Sequence, residues 1–220
     1  MATPIKAEHL EFRTKKEAQL SFREILNRYE LGCVLGGADF KDVVALISRH
    51  PERNVKIGSG ISHVKVVQNP EYLSQRCFWL FRNDGTDTDF SYLTCIDGKA
   101  KTIEQEFAEA CRVSIVDQII EYKTDFFSRD GNTKCEETGV PVYWDTCHVD
   151  HVIPFATIVR DFIQLLQISP VKEMLTESTD RQCSVRFACQ HTESEWKTYH
   201  QMFARLRVVS PEFNLSRKRN

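Results

Sequence analysis

The sequence predicts an α+β protein built as two small modules joined by a helix. Three observations predict it. In the first third, apolar residues at helical spacing give way to short β-rich runs around an Asn83-Asp84-Gly85 turn. A second helical period then extends from Thr102 to about Phe126. Beyond it a β-like stretch reaches His151, meets Pro154 and enters a strongly apolar helical pattern. The expected organisation is a small α+β module with a central β-hairpin over 10–97, a connecting helix over 98–128, and a hairpin-then-helix module over 129–220.

Each element has a local reason. Thr14 and Glu17 form a capping box for an amphipathic helix to Tyr29, with Ala18, Phe22, Ile25 and Leu26 on its apolar side. Asp39 is placed to cap a second helix through Phe40, Val43, Val44 and Ile47, stopped by Pro51. Ile61 to Val67 and Arg76 to Arg82 read as strands, and Asp89 to Ile96 as the strand returning from the Asn-Asp-Gly turn. Thr102 and Gln105 open the connecting helix, whose apolar side carries Ile103, Phe107, Ala110, Val113 and Val116. Asp130-Gly131-Asn132 reads as a turn. Pro154 suits the first turn of a helix carrying Phe155, Ile158, Val159, Phe162, Leu165 and Leu166. Thr192 and Glu195 form a second capping box for a helix to about Ala204. Leu206 to Val209 is apolar, and Ser210-Pro211 restarts the chain for a last helical turn around Asn214.

Composition narrows the function. A chain of 220 residues, 41% hydrophobic, can bury a core as one large or two small domains. It has no apolar run long enough for a membrane span and no secretory pattern at its start. Its eight cysteines are scattered without a Cys-x-x-Cys pair, which points to reduced thiols, a cytoplasmic location and no zinc ribbon. Net charge is −2, yet from Trp196 to Asn220 six Lys or Arg face one acid, Glu212. Such a basic end is either a solvated tail or a local phosphate grip.

The segment His148-Val149-Asp150-His151-Val152-Ile153-Pro154 concentrates the chemistry. A carboxylate is a hard ligand suited to magnesium, and a neutral imidazole can take a proton from water. Neighbours on a strand face opposite ways, so Asp150 and His151 share a site only if the strand end lets them converge. His148, on the side of Asp150 if the segment is extended, is a second ligand, a phosphate contact or a polar strand residue. In the first module, Arg76, Phe78, Trp79, Arg82 and Tyr92 could stack on bases and contact phosphate, or simply alternate into the core. Gly58 and Gly60 form no phosphate loop, because no Lys-Ser/Thr follows.

Residues 129–220 resemble the HNH (ββα-metal) nucleases. Val149-Asp150-His151-Val152-Ile153-Pro154 matches the first element of that motif, and Leu206 to Lys218, with Asn214 inside it, looks like the second. Cys135-Glu136-Glu137-Thr138-Gly139 resembles the opening of the hairpin. The resemblance implies that Asp150 and Asn214 ligate one Mg²⁺ (or Mn²⁺) and that His151 is the general base. It also departs from the family. Ser210 and Phe213 stand where zinc-binding cysteines often lie, so no structural zinc is expected. The middle Asn falls at Arg205, and His200 is either its substitute or a helix-surface histidine. An insertion near 168–192 must be looped out. Residues 10–97 resemble the DCL (defective chloroplasts and leaves) family through Phe12 to Ala18, Lys56 to Ile61, Arg76 to Trp79 and Asp84 to Tyr92. That family is linked to ribosomal RNA processing, which implies nucleic-acid association and no catalytic residues.

The expected function is a restriction-like, metal-dependent endonuclease acting on double-stranded DNA. Arg205, Arg207, Arg217 and Lys218 would grip phosphates, and a homodimer or two successive nicks would cut both strands. The alternative is a non-catalytic RNA-binding or rRNA-processing factor on a degenerate HNH-like scaffold.

Overall fold

The computed structural model describes residues 4–70, 75–129, 133–176 and 184–216. They form a mixed α/β protein of small antiparallel sheets and helices, in two compact units that meet in sequence at Thr102 and Ile103. No helix among the described residues is long and apolar enough to cross a membrane. The Asp130-Gly131-Asn132 turn, Arg217 and Lys218 lie outside the described residues.

The first unit opens with a hairpin of β1 (Ile5–Ala7) and β2 (Leu10–Phe12), followed by α1 (Lys15–Arg28), α2 (Gly37–Ile47) and α3 (Arg53–Ile57). Thr14 caps α1 by accepting from Glu17 N at 3.1 Å, and the Glu17 carboxylate accepts in return from Arg13 N at 2.7 Å. A three-stranded sheet of β3 (Ile61–Gln68), β4 (Arg76–Arg82) and β5 (Asp87–Phe90) follows, and α4 (Tyr92–Asp97) closes the unit. Strand alternation puts Val64, Val66, Phe78, Leu80 and Phe90 on one face, where they meet Phe22, Leu46, Ile47 and Ile96. Phe78 is fully buried at the centre of this core, stacked 5.8 Å from Phe90. Phe78→Ala is expected to cost about 3–5 kcal/mol. The check is a lower urea midpoint for the full chain.

Two expectations for this unit need correction, and one open alternative narrows. Asp39 does not cap α2, which starts two residues earlier after Gly36; its carboxylate instead binds Arg28 at 2.7 Å and Tyr29 Oη at 2.9 Å. The returning strand stops at Phe90, because Ser91 accepts from Thr94 N at 3.3 Å and starts α4. Of the two alternatives open for these β4 side chains, Phe78 and Arg82 take the inward one, while Arg76 is exposed. Phe78 is core, and Arg76 donates to the carbonyls of Leu26 and Tyr29 at the end of α1 (3.3 and 2.7 Å). Arg82, 6% exposed, donates to the carbonyls of Lys56 and Val55, each at 3.0 Å. Trp79 donates to Asp87 at 2.9 Å, and Tyr92 packs partly buried against the core.

The same contacts explain the glycines at 58 and 60. Gly58 has φ +51, and a Cβ there would sit 2.9 Å from Arg82 Cδ; Gly60 has φ +105 and closely approaches the Asn83 amide. Both therefore serve the Arg82 clamp and the β4–β5 turn.

In the second unit the expected connecting helix is two helices, α5 (Ile103–Ser114) and α6 (Val116–Ser128). The break falls at Ile115, with φ −103 and ψ 8, and the Ser114 hydroxyl donates back to Cys111 O at 3.0 Å. The break turns Ile115 itself into the core. These helices are structural members of the second unit, packing with α7 (Phe155–Leu166) and α8 (Gln190–Phe203) around Phe107, Ile158, Phe162 and the fully buried Trp196. Pro154 precedes α7 as its N-cap, and α8 begins after Cys189, so Thr192 lies inside it rather than at its cap. The insertion carries a 3-10 turn, Lys172–Met174, and a bridge between Leu175 and Phe187.

The remaining elements build the site. Strand β6 (His148–His151) pairs antiparallel with β7 (Leu206–Val209), and α9 (Pro211–Ser216) follows directly. Val208 and Val209 are buried with Cys135, Val142, Cys147 and Phe126. Fifty-four residues lie between the two strands in sequence, yet the strands are adjacent in space, so α7 and α8 form an excursion from one hairpin.

Candidate functional site

Strand alternation divides the residues of β6 between two faces. His148 and Asp150 share one; His151, opposite Leu206 in the register, takes the other. The ladder continues through His151, with Val152 N donating to Arg205 O at 2.8 Å, and the Asp150 carboxylate is still near enough for its charge to act on the His151 ring.

On the first face Asn214 of α9 returns to β6. Its Nδ2 lies 2.8 Å from His148 Nδ1, across 66 residues of sequence. Asp150 faces Arg207 across the hairpin, and its Oδ2 accepts from Arg207 Nε at 2.9 Å and Nη2 at 2.8 Å. Arg207 also donates to Glu137 and lies over the Phe213 ring at 5.1 Å. Its pKa is raised: burial opposes the charge, but hydrogen bonds and charge attraction from Asp150 and Glu137 outweigh it. Arg207 is thus a partner of the site's carboxylates, not the open phosphate grip expected of it. Arg205 is exposed.

On the second face His151 Nε2 lies 2.9 Å from His200 Nε2, and His200 Nδ1 lies 2.6 Å from Gln118 Oε1. The Phe155 ring meets His151 edge-on at 5.2 Å, and Arg112 sits over Phe155 at 4.6 Å. Both histidine pKa values fall to about 4. For His151 the main cause is burial, opposed by Asp150 and reinforced by Arg112. For His200 it is burial, then His151. Both imidazoles are therefore neutral at pH 7.

This has a consequence for stability. The folded pKa lies below the ordinary 6.5, so the unfolded chain binds more protons between pH 6.5 and about 4. The pair's contribution is complete above 6.5 and is lost as pH falls toward 4. The melting temperature is expected to drop over that window, and less steeply in His200→Gln than in the wild type. Scanning fluorimetry at matched ionic strength reads both slopes.

Hydrogen bonds hold the hairpin opening. Gly139 N donates to Cys135 O at 2.9 Å, and Ser210 N donates to Cys135 Sγ at 3.3 Å. Burial pushes the Cys135 thiol up, but hydrogen bonds from Thr138, Ser210 and Glu137 bring it down to about 7. Among the described residues no three His, Cys, Asp or Glu side chains are grouped to hold a metal ion, so any ion at Asp150 would need Asn214 and water to complete its shell.

Two further residues join this constellation of contacts. Glu137 reaches the site through Arg207, and Gln118 reaches it from α6. The available signal was Gln118 and Tyr122, polar residues one turn apart on an otherwise amphipathic helix. Gln118 Nε2 donates to Lys197 O at 2.9 Å and Tyr122 Oη donates to Leu206 O at 2.8 Å.

Sequence comparison bears on the other unit. Residues 23–96 match the family described as "Protein of unknown function (DUF3223)". The chain is 45% identical over 56 residues to "Protein DCL homolog, chloroplastic" of Arabidopsis thaliana, covering 26% of each chain. It is 42% identical over 53 residues to "Protein DCL, chloroplastic" of Solanum lycopersicum, covering 24% of each. It thus spans about a quarter of the length of these curated relatives. The solution NMR structure of an uncharacterized protein from Rhodospirillum rubrum is 34% identical, with a TM-score of 0.40, over 43% of this chain and 89% of that one. The family match ends at Ile96 and includes none of the residues around Asp150 and His151. The first unit therefore carries a DCL-like (DUF3223) domain, built on the sheet β3-β4-β5 and its helices.

Proposed function

We propose that the chain is a metal-dependent DNA endonuclease of the HNH type, with the site in the second unit. One observation carries the reading. Asn214, read from sequence as the partner of Asp150, lies on the helix that follows the hairpin and touches His148, Asp150's neighbour on the same strand face. A β-hairpin followed by a helix is the ββα order that the HNH motif requires.

The donor set fits a hard cation. Asp150 gives a carboxylate oxygen, Asn214 an amide oxygen once its side chain turns, and His148 stands beside them. A bound Mg²⁺ or Mn²⁺ would supply Lewis-acid stabilisation of the charge on the phosphate and the leaving oxygen. His151, neutral at pH 7, takes the proton from the attacking water. His200 holds the His151 ring in place, the role the resemblance gives to an Asn. Arg207 orients the Asp150 carboxylate; Arg205 and the basic tail contact flanking phosphates. The substrate is double-stranded DNA, cut by a homodimer or by successive nicks, in the cytoplasm.

The test is supercoiled plasmid incubated with the full chain and Mg²⁺ or Mn²⁺. Metal-dependent conversion to open-circle or linear DNA supports the reading; intact plasmid across metals and across modified and unmodified DNA refutes it. The second reading, a non-catalytic RNA-binding factor, is favoured by the DCL-like domain and by the Arg207 side chain seated on Asp150. It calls for a gel shift with single-stranded RNA and no cutting.

A further inference from the structure

The hydrogen bonds around His151 have a direction, and the direction can be traced to a fixed end. The Lys197 carbonyl only accepts, so the Gln118 group 2.9 Å from it is the NH₂. The reversed amide would set two oxygens against each other. Gln118 Oε1 therefore faces His200, where at 2.6 Å it accepts from Nδ1–H. A neutral imidazole carries one proton, so His200 Nε2 holds a lone pair. The nitrogen 2.9 Å from it, His151 Nε2, must then donate. The single proton of neutral His151 is thereby placed on Nε2 and the lone pair on Nδ1.

We infer that Gln118 is a positioning residue for His151: through His200 it selects the tautomer in which Nδ1 is the nitrogen that takes the proton from water. The inference rests on the reading of His151 as the base, and it deepens that reading by naming the reacting atom. All the members are well held. His200 is 1% exposed, and Gln118 and Lys197 sit on α6 and α8, which share the second unit. Without the Gln118 acceptor, nothing in the chain from Lys197 fixes the His200 proton on Nδ1. It can move to Nε2, turn His151 Nε2 into the acceptor, and occupy Nδ1 with the remaining proton.

Long-range ¹H–¹⁵N correlation spectra of the metal-free, ¹⁵N-labelled full chain at neutral pH read both tautomers directly. The expected wild-type pattern is His151 protonated on Nε2 and His200 on Nδ1. In Gln118→Leu, which keeps the volume and removes both hydrogen bonds, both rings are expected to populate the other tautomer. Plasmid cutting should then fall about 10- to 100-fold in kcat with KM unchanged. A wild-type His151 protonated on Nδ1, or an unchanged pattern in Gln118→Leu, overturns the relay. The wild-type spectrum decides alone if the variant does not fold. Because the spectra need no DNA or metal, a correct tautomer pattern in a protein that never cuts refutes the nuclease reading and leaves the relay standing.

Discussion

Replacing His151 by alanine is expected to reduce plasmid cutting by about 10²–10⁴-fold, the range a general base contributes. The loss should fall on kcat, because the side chain acts on water rather than on the phosphate grip. Its position supports this separation. His151 is only partly buried and sits at the last rung of a four-residue strand, where the ladder is held by backbone bonds that alanine keeps. What alanine removes is the partner of His200 at 2.9 Å and the edge contact with Phe155 at 5.2 Å. The fold should persist, as circular dichroism would show, while the activity does not. Equal cutting by wild type and His151→Ala would mean another base or a contaminating nuclease. A variant that loses cutting only because it has unfolded would lose DNA binding as well, and a gel shift on the same preparation separates that case.

The part of this candidate site that was legible rests on local signals. A carboxylate and an imidazole before Val-Ile-Pro, and an Asn after Leu-Arg-Val-Val-Ser-Pro, each mark an element end, and the structure places these ends side by side. The capping box at Thr14 and the alternation of Phe78 and Leu80 were legible for the same reason. What was not legible depends on partners distant in sequence. Nothing near Arg207 announces that it will face Asp150 rather than solvent; that follows from the register of a hairpin whose strands are separated by two helices. Gln118 belongs to the same class, since its two bonds reach 79 and 82 residues away. The strand expected over Asp89 to Ile96 failed for another reason. Tyr92, Leu93, Thr94 and Ile96 suit a strand, but the Ser91 cap and the burial of Cys95 and Ile96 against the sheet outweigh that weak preference.

The DCL-like residues show how a family signature can describe a fold and not a site. Arg76 closes the end of α1, Arg82 ties α3 to β4, Asp84 accepts from Thr86 N at 3.0 Å to shape the turn, and Ser91 starts α4. Each satisfies backbone groups that would otherwise be orphaned at an element end, which is a sufficient physical reason for that residue type at that place. The motif therefore carries the architecture of the first unit, while the site chemistry proposed here lies in the second.

Asp150→Asn is expected to abolish metal-dependent cutting, by about 10³-fold or more, the rate equivalent of roughly 4 kcal/mol of lost Lewis-acid stabilisation. The substitution keeps the size of the side chain and one oxygen, but removes the charge that a hard cation needs. Arg207→Gln gives the contrasting result. The Arg207 and Asp150 side chains are 11% and 14% exposed, and two bonds of 2.8 and 2.9 Å join them, so the guanidinium competes with any cation for the same carboxylate. Removing that positive charge should tighten Mn²⁺ binding, because like charges at such distances repel by about 4 kcal/mol at an effective dielectric near 20. Both variants break the same partly buried ion pair, so both should melt at lower temperature than the wild type. Calorimetric titration of Mn²⁺ into the three proteins then separates the two roles open to Asp150. As a metal ligand, it gives lost binding in Asp150→Asn and tighter binding in Arg207→Gln. As a purely structural partner of Arg207, it gives two destabilised proteins with the same heat of Mn²⁺ binding as the wild type. Only the first pattern is compatible with a site in which Asp150 passes from the guanidinium to a cation when the metal arrives.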